Sequence, residues 1–411
     1  EIAQCLVGSE MCIRDRDTTG ASLDYNIKLN ITSIANELKS SDLKYVLLKD
    51  NTIVKEGNFS TMVVGANTIY SNSITSSGTT NFTFYLYIDG NSENNLNMMN
   101  KSLVGSIVVE AQEKQYETFS TVIENLMSDG EYETVTNNGV DYQYNTVNSL
   151  MDDNYGNIRY YGANPNNYVY FNCDDYSNQS SSTCEVWKII GVFDNGNLTH
   201  QIKIIRNDSI GNFPWDPYNN FNGWNDAGMR FILNNYSINE QGAGLYWNRS
   251  SGACLNGDSG TCDFTTTGLK NDATRNAIYN AKWQVSAISE ALFYSNEAYE
   301  NEMGLGTEVE DYIGLISTSD YGFAADFRTC SSQIFDYDGC PEVNWLLNGE
   351  YQWTIIPMDN ENTHSVYNSG MLSTLNVSNA AAIRPTLYLK TEQTIKSGTG
   401  TLADPYQLQV S

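Results

Sequence analysis

The chain has 411 residues and a formal charge of −27, from 49 acidic against 22 basic side chains. That length holds two or three domains, each able to bury its own core. The acidity excludes sequence-independent attraction to nucleic acid or anionic lipid, which needs a basic surface, while 28 tyrosines against 14 phenylalanines suit an extracellular surface that offers rings and hydroxyls for contact.

Taken in order, the chain opens with Cys5 to Arg16, CLVGSEMCIRDR, which resembles one reading frame of a transposon-type sequencing adapter. The resemblance implies that residues 1–16 are non-native and pack against neither domain. It also implies that the natural chain starts near Asp17, with any membrane anchor lost upstream. No run of about 18 apolar residues follows.

From Leu23 the period is two: Leu23, Tyr25, Ile27, Leu29 and Ile31 alternate with polar residues, which predicts a half-buried strand. Tyr45–Leu48 and Thr52–Val54 flank Lys49-Asp50-Asn51 as a hairpin. Asn81–Ile88 places Phe82, Phe84, Leu86 and Ile88 on one face, and Leu103–Val109 closes the set. Several short antiparallel strands over 17–112, without a strong helical stretch, predict an all-β immunoglobulin-like sandwich. The runs FYLYIDGN and MMNKSLVGSIVVEA within it resemble the β-sandwich stalks of bacterial surface proteins.

Residues 113–155 read as a connector. Phe119, Val122, Ile123 and Leu126 have helical spacing up to Asp129-Gly130, and the Asn-rich 131–153 reads as a loose polar linker. Beyond it, 156–411 mixes strands with helices and predicts an α+β domain. Its strands include Val186–Phe193 and His200–Ile205, with one helix over Ala227–Tyr236 capped by Asn225 or Asp226 and another over Asn271–Trp283.

Eight cysteines less Cys5 and Cys12 leave six, all in this domain. Short turn-rich spacings favour Cys173–Cys184, Cys254–Cys262 and Cys330–Cys340 among the connectivities that six cysteines allow, and imply an oxidising compartment. Zinc is the competitor, but no C-x-x-C occurs and His200 and His364 are the two histidines. Free thiols are the other alternative.

Nucleophile-elbow, zinc-protease, P-loop and dinucleotide motifs are absent, which argues against those enzyme classes. Acidic pairs at Asp174-Asp175, Glu308 with Glu310 and Asp311, and Asp336 with Asp338 are the carboxylates a glycosidase would need, although adjacent surface acids are usually just solvated. Asp336 and Asp338 are also the candidate calcium ligands, and Asp359-Asn360-Glu361-Asn362 offers oxygen donors in succession. Trp215, Trp224, Trp247 and Trp353 are candidate sugar platforms or core residues. The candidate ligand-binding set is Trp353, Asp359, Asn360, Glu361, Asn362, His364 and Arg384, with His364 read as an exposed loop residue and Arg384 as either an anion partner or a buried structural cation.

Four motifs carry a second resemblance: Trp187-Lys-Ile-Ile-Gly191, Gly223-Trp-Asn-Asp-Ala227, Trp353-Thr-Ile-Ile-Pro357 and Ala382-Ile-Arg-Pro-Thr-Leu-Tyr-Leu389. In order and spacing they resemble an uncharacterised family of bacterial surface domains with a C-type-lectin-like appearance. Trp353-Thr-Ile-Ile-Pro357 departs from that family's tryptophan pair and arginine. The implied protein is an extracellular, cell-surface, non-enzymatic adhesin presenting a lectin-like domain to a glycan or protein ligand, without a cofactor except for possible calcium. A structural component of a surface layer or fibre is the alternative, and a carboxylate-dependent glycosidase the third reading.

Overall fold

The computed structural model describes residues 5–7, 10–14, 23–74, 79–89, 95–113, 116–194, 199–216, 223–235, 243–254, 261–289 and 293–410. It divides into two compact units, 1–115 and 116–411. Both are rich in sheet.

In the first unit, Leu23–Ile34 lies between Gly65–Ile74 and Leu103–Glu113 in one antiparallel sheet. Leu43–Lys49 lies between Thr52–Asn58 and Thr79–Ile88 in another. Tyr25, Ile27, Leu29 and Ile31 meet Leu43, Tyr45, Leu47 and Phe82 in one core, as the alternation requires. The Leu43–Asn58 hairpin turns at Asp50 and Asn51 with φ of 48° and 67°, a conformation short polar side chains tolerate. Past Phe84 the expected inward face fails: Leu86 and Ile88 are exposed although their partners Tyr45 and Leu43 are buried, since beyond Thr83 the strand has a neighbour on one side only among the described residues.

Glu10–Arg14 pairs antiparallel with Thr79–Thr83, and Cys5–Val7 folds back on Glu10–Cys12. The expectation that 1–16 stays unpacked therefore fails at the level of the backbone. Ladder hydrogen bonds are made by main chain, so an open strand edge accepts an extended segment whatever its side chains. The side chains of residues 5–14 lie outside the described residues.

The second unit is built on a ten-stranded antiparallel sheet. Its main path runs Ile278–Tyr279, Thr386–Leu389, His200–Arg206, Glu185–Asp194, Ile158–Tyr160, Leu150–Asp152, Val140–Asn145 and Tyr132–Asn137. Residues 131–153, expected as a linker, thus supply three of its strands. Tyr142, Tyr144, Leu150 and Met151 are buried there while Thr and Gln face outward, an alternation masked by tyrosine standing where aliphatics usually do. A five-stranded sheet of Asn212–Pro214, Ala380–Ala382, Gln352–Pro357, Asn362–Val366 and Leu372–Asn376 packs into the same core.

The helices are short. Phe119–Ser128 is capped by Thr118, whose Oγ1 accepts from Thr121 N, and buries Phe119 and Ile123. Gly228–Leu233 starts after Ala227, not at Asn225 or Asp226. Asp272–Ala277 is capped by Asn271 but stops early, and Trp283 lies on the strand Ala281–Gln284. Among the described residues no helix is long and apolar enough to cross a membrane.

The three disulfides join Cys173–Cys184, Cys254–Cys262 and Cys330–Cys340. They fit an oxidising, extracellular compartment. Each closes a short loop and contributes about 2–3 kcal/mol, chiefly by restricting the unfolded chain. The core they decorate buries Trp187, Trp215, Trp224 and Trp353 completely. Thermal melts with and without reductant are therefore expected to show a lowered melting temperature and a retained cooperative transition. Loss of the transition at room temperature on reduction would contradict this.

Candidate functional site

The expected binding loop is a self-satisfied turn. Asp359 Oδ1 accepts from Glu361 N and Asn362 N, both at 2.8 Å, and from Asn362 Nδ2 at 3.0 Å, and these bonds hold its carboxyl below the usual range. Asn360 and Glu361 are exposed beside it and converge on nothing. His364 is not a loop residue: it is fully buried on Asn362–Val366, with Nε2 donating to Ile288 O at 2.9 Å. Burial pushes its pKa down. Trp353 is also fully buried, its Nε1 donating to Phe213 O at 2.9 Å. Each is part of the core, not of a ligand face.

Arg384 proves to be the buried structural cation. It sits between Ala380–Ala382 of the smaller sheet and Thr386–Leu389 of the larger one. Nε donates to Arg206 O at 2.9 Å, and Nη1 to Leu346 O at 2.9 Å and Gln352 Oε1 at 3.2 Å. Burial without a carboxylate partner pushes it down to about 10. Asp336 and Asp338 are exposed on either side of the buried Tyr337, along the 3₁₀ turn Ile334–Gly339. They do not converge, and among the described residues no group of three His, Cys, Asp or Glu is placed to hold a metal. The four candidate sugar-platform tryptophans are core residues.

The chemistry lies instead on one face of the large sheet. A single cross-strand row pairs Tyr279 with Tyr388, Tyr388 with Lys203, Lys203 with Gly191 and Gly191 with Arg159. Paired residues share a face, so both cations point the same way across the glycine. Gly191 is needed there for close approach, since a Cβ would stand 2.1 Å from Ile158 O. Phe193 and Gln201, paired one step along, continue the face.

Asp320, on the short helix Thr318–Phe323, closes over this row. Its Oδ2 accepts from Lys203 Nζ at 2.5 Å and Ser317 N at 3.0 Å, and its Oδ1 from Arg159 Nη1 at 3.1 Å. Asp153 takes Arg159 Nε at 2.6 Å. The guanidinium carbon lies 4.7 Å from the Phe193 and Phe323 ring centres, and Lys203 Nζ lies 5.2 Å from those of Trp283 and Tyr388. Burial opposes the charges of Arg159, Lys203 and Asp320. Lys203 and Arg159 nevertheless hold the Asp320 carboxyl below its usual range, and Asp320 holds Lys203 above its own.

Glu302, from Ser295–Gly304, is buried beside them and accepts from Thr318 Oγ1 at 2.5 Å and Ser319 N at 2.9 Å, as well as from Ser319 Oγ. Burial still raises its pKa. Two neighbouring carboxyls pushed in opposite directions are what an acid–base pair requires. Here both are held by hydrogen bonds to the protein.

Above this floor opens a cavity of about 570 Å³. Its walls are Trp283, Tyr279, Tyr299, Tyr388 and Phe193, and Asn157, Asn280, Gln284, Glu308 and Glu310 add polar groups. Among the acidic pairs singled out in the sequence, Glu308 and Glu310 line it. Asp311 turns inward to Arg230 Nε and Trp224 Nε1, both at 2.8 Å. Polar residues on an otherwise apolar strand, as in His200-Gln-Ile-Lys-Ile-Ile205, were the available signal for the floor. No match to the chain is found among protein-family models, curated proteins or solved structures.

Proposed function

We propose that the chain is an extracellular binding protein whose second unit takes a sugar-sized polar ligand, the end of a glycan, in the cavity over Lys203 and Asp320. The observation that carries this reading is the composition of the cavity: aromatic faces to cover the C–H side of a sugar ring, beside amides and carboxylates that pair with hydroxyls. Its volume lies within the range of small-molecule sites. The locked floor supports binding over catalysis.

The resemblance to bacterial surface proteins supports a place on a cell surface, with the first unit as an immunoglobulin-like stalk and the second as a lectin-like head. The test is a glycan array with the full chain, run beside Tyr279→Ala. Tyr279 is half exposed on the cavity wall, and its loss is expected to weaken binding about tenfold with an unchanged thermal melt. A blank array, with capture of a protein ligand that Tyr279→Ala leaves intact, would sink the glycan reading.

A second reading, the surface layer or fibre, rests on Tyr85, Leu86, Tyr87 and Ile88, four consecutive exposed residues of the first unit. Concentration-dependent assembly in light scattering would favour it.

A further inference from the structure

The floor of the cavity is balanced in charge, with Arg159 and Lys203 facing Asp153 and Asp320. Its hydrogen bonding is not. Arg159 is 1% exposed, and its Nε and Nη1 are engaged, but Nη2 makes no hydrogen bond to a described residue. A guanidinium brings five N–H groups, and those left unmet in a buried site favour any group that accepts from them. On the wall, Gln284 Nε2 donates to Glu308 Oε1 at 2.8 Å, while its Oε1 is buried without a partner. Two residues that line the cavity therefore carry an unmatched group, a donor on the buried cation Arg159 and an acceptor on the Gln284 amide.

We propose that Arg159 Nη2 and Gln284 Oε1 are the specificity-determining groups of this site, and that its ligand is a sugar without negative charge. The inference rests on the cavity being the binding site. A sugar hydroxyl has lone pairs for Arg159 and a proton for Gln284, so neutral hydroxyls satisfy both without adding charge. A carboxylate or sulfate would enter beside Glu302, Glu308 and Glu310 with both floor cations already neutralised. That negative charge leaves water without a counter-ion, which disfavours binding, whereas an ammonium would meet the same three carboxylates. The rings of Trp283 and Tyr388 then meet the C–H face of the sugar.

The test is calorimetric titration of the full chain with cellobiose, lactose, mannobiose and diacetylchitobiose as neutral probes, the chitosan disaccharide as a cation, and a hyaluronan disaccharide and sialyllactose as anions. At least one neutral or cationic probe is expected to bind about tenfold or more tightly than both anions. Gln284→Ala should weaken that binding about tenfold, since it removes the buried acceptor, whereas Asp359→Ala should leave it unchanged. Arg159→Lys should also weaken it. Because that variant can fail to fold, the probe series on the unmodified chain and Gln284→Ala decide the matter. An anionic probe that binds as tightly as the best of the others, or Gln284→Ala binding unaltered, overturns this inference and leaves the cavity reading standing. Failure of every probe to bind overturns both.

Discussion

Replacement of Asp320 by alanine is expected to cost about 3–5 kcal/mol, because it leaves two buried cations without their shared counter-ion. Arg159 keeps Asp153, but Lys203 keeps no carboxylate among the described residues. The same change removes the acceptor for Ser317 N at the start of the helix that carries Asp320. Lys203→Met combined with Asp320→Ala should lose less than the sum of the two single changes, since the lysine no longer has to be buried unpaired.

The pH dependence has a definite sign. Asp320 is held below its unfolded value, so its contribution is complete above about pH 4 and fades as pH falls through the folded value. Lys203 is held above its unfolded value, so its contribution is complete below about pH 10 and fades as pH rises through the folded value. Urea melts of the unmodified chain and the variants between those limits measure the difference. A single variant within about 1 kcal/mol of the unmodified chain would show that the network is solvated or relaxes freely.

Much of the scaffold was legible in the sequence, and the site was not. Leu23–Ile34 alternates cleanly, the Asp50-Asn51 turn announces its hairpin, and the short cysteine spacings pair as the loops suggest. These are local signals. The site depends on what lies opposite a strand, which periodicity does not encode. On His200–Arg206, Ile202 and Ile204 face one way and Gln201 and Lys203 the other, and all four are buried. A polar face turned to water and a polar face turned to a cavity have the same pattern.

The 131–153 hairpin was lost for a related reason, since Tyr142 and Tyr144 bury rings in positions that composition counts as polar linker. The Asp359–Asn362 run misled in the opposite direction: its oxygens satisfy their own backbone, so a rich donor list marks a stable turn. Gly191 was visible as the end of a motif, but its purpose appears only when Lys203 and Arg159 are seen on either side of it.

Arg384→Ala is expected to be the other severe change, at about 3 kcal/mol or more, although Arg384 touches no ligand and no carboxylate. Its guanidinium bonds to Arg206 of the large sheet, to Gln352 of the small sheet and to Leu346 between them, while its own segment, 383–385, links a strand of one sheet to a strand of the other. Deleting it removes the donor to the Arg206 and Leu346 carbonyls and to the Gln352 amide oxygen at once, and leaves a void at 2% exposure where water enters poorly. Arg384→Lys should recover little, because an ammonium on a single stem does not reproduce the planar fork that reaches three acceptors. Arg384→Met should restore part of the packing without the hydrogen bonds, and so fall between alanine and the unmodified chain. Denaturation of the three variants gives the order. If lysine proves equivalent to arginine, charge and not geometry holds the sheets together, and the account of the crossing given by these three bonds is wrong.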